Sequence, residues 1–229
     1  MLPPMEEGME EQKVVRTLDS RKLAVLGVAI AVLVALALAG WFAWKGHKQK
    51  VDETAIVAGV SDTTLMLREL LATPAASAEA TPRIEAHLAR IKAATRTPLA
   101  DLAEEYVLGA REIARRNGDV ARLARQAAAS RDATMAHLAA GKQRGDGWFR
   151  TASELKKRME HNYTELNISL KTLDTLFSGM PDTVKRATPL FGDKALVSPG
   201  EFHKAAGRVQ EELKRVGLEL ERARQLPLN

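Results

Sequence analysis

Apolar residues along this chain follow two patterns. From Leu23 to Trp44 they form one unbroken run, and after it they recur every three or four positions to the end. The run holds no charged residue and no proline. As a helix it would reach roughly 33 Å at 1.5 Å per residue, enough to cross a hydrocarbon core of about 30 Å. Arg21 and Lys22 mark one end, and Trp41, Trp44 and Lys45 the other, as basic and amphipathic groups do at a membrane–water interface. The pattern therefore predicts a disordered tail over 1–22, a transmembrane helix over 23–44 and a basic juxtamembrane linker over 45–50, with Gly46 as a loosening point. A second reading stays open. Ala37-Leu38-Ala39 before Gly40 has the small-x-small form of a signal-peptidase site, although the acidic tail and the continuing Trp41-Phe42-Ala43-Trp44 favour an uncleaved anchor.

Inside the run, Gly27, Ala31, Ala35, Ala39 and Ala43 recur at i, i+4. Small residues on one face let two membrane helices approach closely, so this face is a candidate for association within the bilayer.

Residues 51–229 carry helical stripes and no strand alternation, which predicts an all-α soluble domain, a helical bundle or coiled coil. Ile56, Val60, Thr63, Leu67 and Leu70 form the first stripe, closed near Thr73-Pro74. Two Thr-Pro pairs read as helix starts, with Thr81 and Thr97 as caps and Pro82 and Pro98 in the first helical position. Asn117-Gly118-Asp119 reads as a stop and restart. The longest helix is expected over about 148–178, with its stripe from Ala152 to Phe177 and a four-residue stutter at Met159–Tyr163. Ser178-Gly179-Met180-Pro181 is expected to close it. Ser198-Pro199-Gly200-Glu201 is a capping box that opens a C-terminal heptad helix over about 199–226. Its seam is Phe202, Ala206, Val209, Leu213, Val216, Leu220 and Ala223, at spacing 4-3-4-3-4-3, which is an a/d pattern. The seam's partner could be another helix of the chain or the same helix of a second copy.

Composition narrows the chemistry. The 229 residues include no cysteine, which excludes disulfides and thiolate ligands or nucleophiles. The tail's five acidic residues outnumber its four basic ones, so of the formal +5 charge, +6 falls beyond it. Such a domain could lean on an anionic lipid or polymer. Arg111, Arg115, Arg122 and Arg125 would make a basic patch if one helix ran through Gly118. No aromatic residues interleave with them, so nucleic acid is not an expected partner.

Catalytic and cofactor signatures are missing. The five histidines form no HExxH and no Glu-x-x-His pair, so the metal-site spacings fail. His137 and Gly141 have the separation of phosphotransfer histidine motifs, but Ala140 stands where lysine is expected. The loop from Gly141 to Gly147 lacks the Gly-Lys-Ser/Thr ending of a phosphate-binding loop. No catalytic residue, metal or cofactor is expected.

The resulting expectation is a single-pass membrane protein of the cell envelope, with the tail in the cytoplasm and the helical domain outside, set by Arg21-Lys22 against the span. It would act as a non-enzymatic scaffold or assembly subunit, contacting the bilayer, further copies of itself or other membrane-complex subunits. The alternative is an extracytoplasmic sensory or ligand-binding bundle.

Overall fold

A computed structural model describes residues 20–73, 77–140 and 145–226, with side chains from residue 32 onward. Five α-helices account for nearly all of them: α1 Ser20–Ala72, α2 Ser77–Ala93, α3 Pro98–Ala139, α4 Asp146–Phe191 and α5 Pro199–Gln225. A 3₁₀ turn, Asp193–Ala195, lies between the last two. No strand occurs among the described residues, so the protein is all-α.

The chain divides into two units, Met1–Lys48 and Gln49–Asn229. In the first, the described part is helical backbone from Ser20 onward. Every side chain from Val32 to Trp44 is exposed. Lys45 Nζ lies 5.4 Å from the Trp41 ring centre and Lys48 Nζ 5.7 Å from that of Trp44. Among the described residues no helix is long and apolar enough to cross a membrane. The side chains of 23–31, which begin the apolar run, lie outside the described residues, as does the tail over 1–19.

The second unit is a helical bundle with one core. In it α3 packs on α2 and α4, and α4 packs on α5. Tyr106, Phe202, Leu67, Leu70, Ile84, Ile91, Ile113 and Leu170 are fully buried there. Thr97 caps α3 by accepting from the Ala100 N–H at 3.1 Å, with Pro98 following. Ser198 and Glu201 close the capping box of α5 in both directions, at 3.3 and 2.8 Å. The seam of α5 is buried within the one chain, with only Leu213 half-buried.

Four expected breaks are absent. Lys45–Lys50, expected as a linker, is helical. One glycine costs a helix about 1 kcal/mol against alanine, and Lys and Gln around Gly46 are good helix formers. This continuity makes α1, at 53 residues, longer than α4 at 46. Helix α2 starts at Ser77 rather than at Pro82, and the Thr81 hydroxyl donates back to the Ser77 carbonyl at 2.8 Å.

Helix α3 runs through Asn117-Gly118-Asp119 without a turn. Gly118 serves packing there: a Cβ on it would meet Ser77 Oγ at 3.3 Å, so α2 begins hard against α3. Helix α4 likewise passes Ser178-Gly179-Met180-Pro181 and ends at Gly192, whose φ of 81° suits only glycine well. A mid-helix proline costs about 3 kcal/mol. Burial of Met180, Pro181, Val184 and Ala187 beyond the proline offsets it.

Candidate functional site

The sequence-derived residues fall into three groups. Of the small-residue face, Ala35, Ala39 and Ala43 are exposed, while the side chains of Gly27 and Ala31 lie outside the described residues. The seam residues Phe202, Ala206, Val209, Leu213, Val216, Leu220 and Ala223 belong to the core of the bundle.

The four arginines share one face of α3, because the helix does run through Gly118. Two of them are ion-paired. Arg115 forms a two-point pair with Glu112 at 2.6 and 3.0 Å and reaches Asp119 at 3.7 Å. Arg122 donates to Asp119 and to Gln126, both at 3.3 Å, and Arg125 Nε donates to the Ala121 carbonyl. Hydrogen bonds from Arg115, and also from Arg116, hold the Glu112 carboxyl below its ordinary pKa. Acidic residues one turn away thus answer Arg115 and Arg122.

Of the histidines, His137 stacks on Trp148 with ring centres 5.2 Å apart. Its Nε2 donates to the Trp148 carbonyl at 3.1 Å, and Trp148 Nε1 donates to the His137 carbonyl at 3.3 Å. The pair ties the end of α3 to the start of α4. Among the described residues no cluster of three or more His, Asp or Glu could hold a metal.

Two features were not anticipated. The first is a directed chain of hydrogen bonds in the core. Thr64 has one hydroxyl proton, and it goes to the Ala195 carbonyl at 2.8 Å. The Tyr106 hydroxyl must then donate to Thr64 Oγ1, at 2.9 Å, and it accepts from the Val197 N–H at 3.3 Å. Beside this chain, Arg68 donates to the Leu196 carbonyl at 3.0 Å and pairs with Glu201 at 3.4 Å. Residues 195–197 are therefore pinned to α1 and α3. Burial pushes the Tyr106 phenol above its ordinary pKa.

The second is a cavity of about 300 Å³ bounded by α1, α3, α4 and α5. Leu70, Leu173, Phe177 and Val209 supply apolar wall, and the polar side chains are Asn117, Arg208 and Glu212. Asn117 is 2% exposed, and its Nδ2 has no hydrogen-bond partner. The signal for it was in the register. Tyr106, Ala110, Ile113, Asn117 and Val120 continue one 4-3-4-3 stripe straight through the supposed break.

Comparison with protein-family models, curated proteins and solved structures finds no match for this chain.

Proposed function

We propose that the protein is a membrane-anchored helical scaffold that assembles a membrane or cell-envelope complex through helix–helix contacts. The observation that carries this reading is the bare apolar segment: Leu33, Leu36, Phe42 and Trp44 are each more than 60% exposed. Soluble proteins seldom leave so long a continuous apolar surface uncovered, and lipid is its natural cover. The lysines stacked beside Trp41 and Trp44 fit the point where a continuing helix would leave the bilayer at the headgroup level.

The rest of the reading follows from the sequence. Arg21 and Lys22, directly against the span, favour a cytoplasmic tail and an external bundle. Self-association rests on the small-residue face of the span, since the seam of α5 is occupied by its own chain. The alternative role in sensing or ligand binding is favoured by the cavity beside Asn117.

Fractionation tests the anchor. The chain should stay in the membrane pellet through carbonate and high-salt washes, and a soluble product beginning near Gly40 would refute it. Crosslinking in native membranes tests the assembly role. Stoichiometric protein partners are expected, and recovery of the chain without any would refute the scaffold.

A further inference from the structure

We propose that the cavity between α1, α3, α4 and α5 is a binding site for a compact aromatic or alicyclic carboxylate. Asn117 gives the first reason. Its side chain is buried in a wall of the cavity, yet Nδ2 has no acceptor. A buried donor left unpaired is costly, and native chains rarely keep one without a use. The second reason is the lining. It is mainly Leu, Val and Phe, so a water at Asn117 would find few of the two to four polar partners it needs. At about 300 Å³ the space matches the small end of ligand pockets.

Charge selects the head group. Arg208 lines the cavity from an exposed position and donates to the Leu71 carbonyl. A guanidinium carries five N–H donors, which leaves several for a carboxylate. Glu212 also lines the space and would oppose an anion, but Arg215 already holds its carboxylate. The predicted ligand sets its rings against Leu173 and Phe177 and offers its oxygens to Asn117 and Arg208. Nothing in this site depends on the membrane reading, because every lining residue lies in the second unit.

Titration calorimetry on the full chain in lipid nanodiscs, with empty nanodiscs as reference, tests it. The probes are naphthalene-1-carboxylate and its neutral carboxamide. One saturable site for the carboxylate is expected. Arg208→Gln should weaken the carboxylate at least about fivefold and leave the carboxamide within about twofold. Asn117→Leu replaces an unpaired donor by an apolar side chain of similar size. It should melt no lower than the parent and lose about tenfold or more in affinity for both probes. Val209→Phe should fill the space and abolish binding. No saturable heat up to millimolar probe would overturn the proposal. So would unchanged affinity in Asn117→Leu while its helical melt is intact.

Discussion

Tyr106→Phe isolates the hydrogen-bond chain that fastens residues 195–197. The substitution keeps the ring, which fills its site at 0% exposure, and removes one oxygen. Two bonds go with it. The Val197 N–H loses its acceptor, and Val197 is itself 0% exposed, so no water replaces it readily. An orphaned buried donor costs about 1–3 kcal/mol. Thr64 Oγ1 loses its incoming proton but keeps its own bond to the Ala195 carbonyl, so this second loss is about 0.5–1.5 kcal/mol. The bond to Val197 is long at 3.3 Å, which places the total near 2 kcal/mol rather than at the sum of the upper limits.

The assay is urea unfolding followed by helical circular dichroism, with amide exchange at Val197 alongside. Thr64→Val and the double variant complete a cycle. A coupling of about 1 kcal/mol between the hydroxyls is expected, since each single change removes their shared bond. Stability should also depend on alkali. Burial raises the folded pKa of Tyr106 above its unfolded value near 10, so the neutral phenol stabilises the fold below that pH. This contribution disappears as pH climbs through the raised value, and Tyr106→Phe should flatten that part of the profile. A Tyr106→Phe protein within about 0.5 kcal/mol of the parent, with Val197 exchange unchanged, would refute the reasoning.

The other expectations follow from burial, packing and charge. Gly207→Ala meets nothing within 4 Å and should stabilise α5 by about 0.5–1 kcal/mol, whereas Gly109→Ala drives its Cβ into Met180 Sδ and should lower the melting temperature despite the same propensity gain. Burial, outweighing Asp62 at 3.8 Å and helped by Arg90 and Arg83, holds the His87 imidazole below its ordinary value. Stability from neutral His87 is therefore complete above about pH 6.5 and falls as pH drops through the depressed value, a loss that acid titration should find reduced in His87→Gln. In α5, Val216→Asp should cost several kcal/mol in urea unfolding and Leu213→Asp less, because Val216 is 2% exposed and Leu213 only half-buried.

Helical class, the capping box of α5 and the cap at Thr97 were legible because each is local. A serine three residues before a glutamate, or a threonine before a proline, satisfies backbone N–H groups within its own turn. The breaks were misread for the opposite reason. Gly118 and Gly179 have the residue types of helix stops, but whether a glycine ends a helix depends on what packs beyond it. Partial burial of Val120, Leu123 and Ala124 with full burial of Ala127, and burial from Met180 to Ala187, carried both helices onward. The true end of α4 at Gly192 is a glycine with positive φ, a helix stop of the same residue type more than three turns further on.

The cavity and the Tyr106 chain were illegible for a geometric reason. Thr64 and Tyr106 are 42 positions apart, and Tyr106 and Val197 are 91 apart. No periodicity links such positions; only the fold brings them together. What the stripes did hold was the placing of polar residues at core positions. Thr64 beside Leu67 on α1 and Asn117 after Ile113 on α3 each interrupt apolar surface that would otherwise be continuous. A buried polar side chain needs a partner, which can be a carbonyl of its own helix, as for Thr63 and Thr134, a distant protein group or a ligand. Thr64 has the second in Ala195 and Tyr106. The Asn117 Nδ2 has no protein acceptor, as is true of Asn167 Oδ1 and Ser169 Oγ, but of the three residues Asn117 alone lines the cavity between α1, α3, α4 and α5.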